Sequence, residues 1–204
     1  MRRSARFRPA RADPTSRSVA VDLDFDARLA AARRGEQWAF NQWWLELGPV
    51  VAGYLRTRGV EDPDDLTSEV FLAVFTGVAT FHGDARAFRS WVFTVAHHKL
   101  VDELRRRSRR GVPLQYEPER DLRTTPSAED GALDADSRAR VLALLDALVP
   151  DQREVLVLRF VADLTIDQIA DVLDKSPGAV KALQRRGLAA VKRNLPQPVP
   201  LDAR

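Results

Sequence analysis

Residues 111–137, "GVPLQYEPERDLRTTPSAEDGALDADS", limit the architectures open to this 204-residue chain. The stretch carries three prolines and seven acids, with few apolar side chains. Such a segment buries too little apolar surface to offset the entropy lost on ordering it. It reads as a flexible acidic linker. It leaves two blocks, 27–110 and 138–195, each with its own apolar pattern. Residues 1–26 read as a basic extension expected to be disordered, and 196–204 as a tail.

Both blocks read as helix. Glycine is sparse, helix formers dominate, and no stretch sustains the apolar alternation of a strand. In the first block, "QWAFNQWWLELGPVVAGYLRTRG" places Phe40, Trp44 and Leu47 inward. In "EDPDDLTSEVFLAVFTGV", Asp62 can cap and Pro63 suits the first helical position, while Asp64 and Asp65 favour the positive helix end. Leu66, Val70, Phe71, Val74 and Phe75 then recur at helical spacing. After the turn "TFHGD", Phe88, Trp91, Val92, Val95 and Leu104 mark an inner stripe, and Arg105/Arg109 and Arg106/Arg110 project as basic pairs.

The second block reads as short helices. Pro150 opens one, and Thr165 caps "IDQIADVLD", whose Ile166, Ile169, Ala170 and Leu173 share a face. A turn at Asp174–Ser176 leads to "PGAVKALQRRGLAAVKR", with Ser176 as cap and Val180, Leu183, Leu188 and Val191 inward. Two short helices on a tight turn, the second cationic, form a helix-turn-helix. The expected class is therefore all-α, two small helical domains on a flexible linker.

Charge is segregated more than it is large. The net charge is only +3, yet no acid occurs between Lys175 and Arg193 among six basic residues. Lys181, Arg185 and Lys192 share one helical face. Ser176 and the free amides of the helix start suit a phosphate, and Gln184 can pair with a base edge. The plainer reading of such a run is a solvated face; the helix-turn-helix immediately upstream favours DNA.

Other chemistries find little support. The chain has no cysteine, which excludes disulfides and thiolate metal sites and fits a reducing cytoplasm. No apolar run approaches the roughly 18 residues of a membrane span, and "MRRSARFRPARADPTSRS" lacks the apolar segment of a secretory signal. Of three histidines, His97 and His98 are adjacent and cannot share a helical face, so neither metal nor cofactor is expected. Asp64, Asp65 and Glu69 lack an accompanying nucleophile or phosphate loop, so no catalytic set emerges. Phe81, Phe88, Trp91 and Phe93 are candidates either for stacking on unpaired bases or for the core.

Three motifs in this order resemble a known family. "DPDDLTSEVFLAVF" resembles the polymerase-binding helix of bacterial RNA polymerase sigma factors of the sigma-70, extracytoplasmic-function (ECF) type. "FHGDARAFRSWVFTVAHHKLVDELRRRSRR" resembles their promoter-melting segment. "LVPDQREVLVLRFVADLTIDQIADVLDKSPGAVKALQRRGLAAVKR" resembles their upstream-element reader.

The resemblance implies a non-enzymatic initiation factor made of a region 2 bundle and a region 4 helix-turn-helix. Asp64, Asp65, Leu66, Glu69 and Phe71 would lie on the helix that grips the clamp helices of the polymerase's largest subunit. Phe81, His82, Gly83 and Asp84 would form the loop that receives a flipped base. Lys99, Asp102, Arg105 and Arg106 would lie beside the downstream promoter element. Lys175, Ser176, Gly178, Ala179, Lys181, Ala182, Arg185 and Arg186 would form the start and face of the recognition helix.

The implied partners are core polymerase, including the flap of its second-largest subunit, promoter DNA in double- and single-stranded form, and an anti-sigma factor. The apolar patch around Val155, Leu156 and Phe160 would serve the flap and the anti-sigma factor alike. This chain has Ser68 where the family often has glutamine, and Gly187 where alanine is common; a mid-helix glycine marks a close helix approach. Two rival readings are a dimeric helix-turn-helix regulator with an N-terminal sensor block, and a helical adaptor whose basic faces meet acidic proteins.

Overall fold

The computed structural model describes residues 19–110 and 144–195, with side chains from Asp24 onward. The extension up to residue 18, the acidic linker and the tail lie outside the described residues. Among the described residues there is no strand. The first block holds α1 (Val19–Arg33), α2 (Gln37–Thr57), α3 (Pro63–Gly77), a single 3-10 turn (Val78–Thr80) and α4 (Ala85–Arg109). The second holds α5 (Pro150–Phe160), α6 (Ile166–Leu173) and α7 (Pro177–Asn194).

The first block begins earlier than position 27. α1 opens at Val19, and Phe25 and Leu29, one turn apart, are buried. The alternation of acid and apolar residues in "VDLDFD" masks helical periodicity in the sequence. Burial settles the matter: the Phe25 ring meets those of Phe88 and Trp43 at 5.6 and 6.1 Å.

Along α2 the deep residues are Ala39, Trp43, Leu47, Val51, Tyr54 and Leu55. Trp43, not Trp44, is the tryptophan turned inward; Trp44 is half-exposed, with its ring edge-on to Phe71. Phe40 is partly buried and packs on Phe75. α2 continues through Pro49 because that residue and Leu45, whose carbonyl loses its helical donor, both face water.

α3 starts as its sequence predicts. The Asp62 side chain accepts from the Asp65 amide, Pro63 follows, and Leu66, Val70, Phe71 and Val74 are buried. Near its end space is tight, since a Cβ on Gly77 would lie 2.9 Å from the Trp91 ring. Asp84 caps α4 by accepting from Ala87 N at 2.7 Å, and Phe88, Val92, Ala96 and Leu100 run down its buried side.

In the second block α5 and α7 cross at Gly187, where a Cβ would come 3.1 Å from Leu156 Cδ1. The glycine permits the close approach that its sequence position suggests. Two other expectations are corrected. Val155 and Leu156 are buried rather than part of a surface patch, while Phe160 is exposed; Leu188 is exposed rather than inward. α5 serves α7 on one side and the first block on another, which consumes its apolar residues.

The two blocks are docked. α2 packs on α5 and α4 on α6, and one continuous apolar cluster runs through both blocks. At the seam Glu154 is buried. Its Oε1 accepts from the Tyr54 hydroxyl at 2.7 Å and lies 3.2 Å from His97 Nδ1, with Arg58 3.5 Å from Oε2. Burial alone would raise the Glu154 pKa; the His97 contact, the Arg58 charge and the Tyr54 hydroxyl outweigh it and hold the carboxyl below its ordinary range. Burial and the Glu154 charge push the Tyr54 hydroxyl well above the usual tyrosine value.

Substitution of two glycines separates packing from helix propensity. A Cβ added at Gly53 would meet no packing neighbour within 4 Å, so Gly53→Ala should stabilise by up to about 1 kcal/mol. Gly77→Ala must displace Trp91 and should destabilise by about 1–3 kcal/mol. Thermal unfolding of the two variants against the parent checks both signs.

Candidate nucleic-acid and polymerase interfaces

The helix-turn-helix is fixed by local hydrogen bonds. Thr165 and Gln168 form a reciprocal capping box at the start of α6. Asp174 adopts a left-handed conformation (φ 50°) that ends α6, and Lys175 N donates back to Ala170 O at 2.9 Å. The Ser176 hydroxyl accepts from Ala179 N at 3.2 Å and caps α7. Inward, α7 presents Val180, Gly187 and Ala190.

Outward, Ser176, Gly178, Ala179, Lys181, Arg185 and Arg186 are exposed, and Ala182 and Gln184 are half-buried. Of the residues assigned to this helix, these six are open to solvent and the other two are partly covered. Lys175 is half-buried and pairs with Asp151 at 3.4 Å. The surface is small and cationic, with short side chains at its entrance, so a phosphate backbone can come close to the helix start.

α3 sorts its candidates into two layers. Asp64 and Asp65 are exposed, Asp64 paired with Arg56 at 2.9 Å. Leu66 and Phe71 are buried and hold the helix down. Glu69 is half-buried and joined to Lys99 of α4 at 2.9 Å. This pair ties the proposed polymerase helix to the proposed DNA helix. Beside it lies an open groove lined by Leu72, Ala73, Thr76 and Gly77. Leu72 stands 69% exposed there and was missed by pattern reading, because "VFLAVF" is apolar on every side.

The loop between α3 and α4 also divides. Phe81 is buried, stacked on Trp91 at 5.2 Å and edge-on to Phe88 at 5.3 Å. Arg33 donates to its carbonyl. Phe88 and Phe93 are core, and Trp91 is half-buried. His82, Gly83 and Asp84 are exposed. Gly83 has φ 153°, and a Cβ there would strike Ala87 Cβ at 2.8 Å, so only glycine fits this turn.

Down α4, Asp102, Arg105 and Arg106 are exposed. Arg105 lies 3.7 Å from Asp102, and Arg106 pairs with Glu103. Arg107 turns the other way, donating to Gly59 O at 3.0 Å. His97 is engaged at the seam and His98 is exposed. Among the described residues no group of three His, Cys, Asp or Glu is placed to hold a metal ion.

Comparison with known proteins agrees with this layout. Residues 44–110 match the family model described as "Sigma-70 region 2", and residues 144–193 match "Sigma-70, region 4". The chain is 33% identical over 174 residues to the ECF RNA polymerase sigma factor SigD of Mycobacterium tuberculosis, covering 82% of each chain. It is 32% identical to the ECF RNA polymerase sigma factor SigK of Mycolicibacterium vanbaalenii, over 87% of this chain and 91% of that one. Among solved structures it resembles CnrH, determined in complex with the cytosolic domain of CnrY, with a TM-score of 0.57 and 25% identity over 82% of this chain and 94% of that one.

The two halves of the loop should respond differently to truncation. Phe81→Ala empties a core position and should cost about 3–5 kcal/mol of stability. His82→Ala should leave stability within about 0.5 kcal/mol of the parent. Urea midpoints of the two variants, with unchanged slope, check this.

Proposed function

Because the chain belongs to the sigma-70 family of RNA polymerase sigma factors, in its ECF group, we propose that its three exposed surfaces divide the work of promoter-directed initiation. The protein binds core RNA polymerase and directs it to promoters. In this reading α3 meets the clamp helices of the largest subunit through Asp64, Asp65 and Glu69, with Leu72 beside them. Leu66 and Phe71 support that surface from below.

α4 and the loop before it meet the opened downstream element. Strand opening costs roughly 1–2 kcal/mol per stacked step, and a flipped base needs a site that repays the lost stacking. His82 and Gly83 are the accessible part of that loop. Phe81 and Asp84 hold it, one by stacking on Trp91 and the other by capping α4. Lys99, Asp102, Arg105 and Arg106 lie along the same helix. α7 enters the major groove of the upstream element, with Lys181, Arg185 and Arg186 toward phosphates and Gln184 toward base edges.

The observation that carries the reading is the division of α7. Its inner face is closed by Gly187 against Leu156, so the helix is rigidly seated, while Lys181 and Arg185 stand in solvent. A merely solvated helix would not need that seating beside a capped tight turn. The protein supplies binding and positioning, and nucleotidyl transfer stays with the polymerase. It needs no cofactor and works in the cytoplasm, where the polymerase acts; no described helix is long and apolar enough to cross a membrane.

An anti-sigma factor is a further proposed partner, supported by the likeness to CnrH, whose solved complex holds the cytosolic domain of CnrY. Exposed Phe160 and Val161, rather than Val155 and Leu156, are the apolar groups open to it or to the flap.

Run-off transcription with purified core polymerase tests the reading as a whole. Defined start sites should appear only when the protein is added. Lys181→Glu with Arg185→Glu should abolish the upstream footprint and lower the salt slope of promoter binding by about 2, while core binding is retained. Asp65→Lys should weaken core binding in a pull-down. Start sites identical to those of core enzyme alone would overturn the reading.

A further inference from the structure

The side of α2 turned away from the core carries a stripe of unusual composition. Trp38, Asn41, Gln42, Leu45 and Pro49 are all exposed, and their spacing puts them on one side of the helix. Trp38 is 47% exposed and Leu45 73%. No charged residue occurs from Gln37 to Leu45, although 30% of the chain is charged. Glu46 lies off the stripe and pairs with Arg28 of α1. Toward α3, Phe40 and Trp44 meet Phe75 and Phe71. Among the described residues, these contacts account for the flanks of α2 and leave the stripe to solvent.

Trp38 is held in place before it meets anything. Its indole N–H donates to Glu36 Oε2 at 2.7 Å, and Arg34 donates to Glu36 Oε1 at 2.6 Å. The ring's one polar atom is thus satisfied within the chain, and the part left open is apolar. A side chain fixed in advance loses little entropy on binding. Aromatic groups with charge excluded are also the composition of a buried interface centre.

The stripe is complementary to itself. Let two copies of α2 lie antiparallel about a two-fold axis between Asn41 and Gln42. Each Trp38 then faces Leu45 of the other copy, and each Asn41 faces Gln42. Both pairs arise from one register, as an isologous contact requires. The ring meets an aliphatic group, amide meets amide, and no like charges meet along the stripe. A net charge of only +3 adds little repulsion between copies.

We propose that the outer face of α2 is a homodimer interface, in which two copies pair antiparallel through Trp38 and Leu45. The stripe is small, so the dimer is weak and forms with rising concentration. It uses neither α4 nor α7, and it does not depend on the initiation-factor reading.

Sedimentation velocity of the full chain at rising concentration should show a monomer–dimer equilibrium. Leu45→Glu and Trp38→Lys should each raise the dissociation constant about tenfold or more. Far-UV circular dichroism should be unchanged, because both side chains are exposed. An equimolar mixture of the two variants should recover dimer, since the new lysine faces the new glutamate only in the mixed pair. The chain has no cysteine, so Gln42→Cys places one thiol per copy beside the axis. A short bis-maleimide should link that variant but not Pro49→Cys, whose thiols lie about 22 Å apart along the helices.

A monomer at every concentration would overturn the proposal. So would a dimer that survives both substitutions, or linking at position 49. A chain that dimerises only after residues 1–18 are removed would mean that its own extension covers the stripe. A monomer whose Leu45→Glu variant loses core polymerase in a pull-down would give the stripe to the polymerase. Either result overturns the homodimer.

Discussion

A continuous run of aromatic contacts in the first block organises most of what is exposed elsewhere. Phe25 of α1 meets Trp43 of α2 and Phe88 of α4; Phe88 meets Phe81 of the loop, and Phe81 stacks on Trp91. Large rings bury much apolar surface and tolerate few alternative arrangements, because their preferred geometries are specific. One cluster therefore fixes the angle of α1, the depth of α2 and the course of the loop into α4. The exposed loop residues His82 and Gly83 are held in place by rings they do not resemble chemically. Arg33 reinforces the same point from α1 through the Phe81 carbonyl.

The second block reaches its order differently. It has few aromatics, and its geometry comes from caps, a left-handed residue at Asp174 and the bare surface of Gly187. Short helices gain little from propensity alone, so α6 needs its capping box and its packing on α4 and α7. The consequence is that α7 has a tight inner face and an outer face that is polar or small apart from exposed Leu188. It also means that the support of α7 is shared between α5, α6 and, through α6, the first block.

At the seam a buried charge sits beside the apolar core that both blocks share. Glu154 loses water but gains three polar neighbours, a balance that holds its carboxyl below the ordinary range. A similar pairing appears at Glu69 and Lys99, where one ion pair connects α3 to α4. In both places a carboxylate links two helices.

The helix starts, the helix-turn-helix and the cationic face of α7 were legible in the sequence, because caps, prolines and turn residues act within four positions of one another. Asp62, Thr165 and Ser176 needed no knowledge of the rest of the chain. The apolar spacing of α3 and α6 identified Val70, Phe71 and Ile169 as core for the same reason. What the sequence could not rank was which of several apolar neighbours lies deepest, Trp43 or Trp44, Val155 or Phe160. Nor could it tell that α1 begins among alternating acids, that Phe81 belongs to the core, or that Glu154 is buried 100 residues away from Tyr54. Those outcomes depend on which surfaces meet across long stretches of chain. Burial is a property of pairs of helices, whereas the pattern along a sequence reports each helix alone.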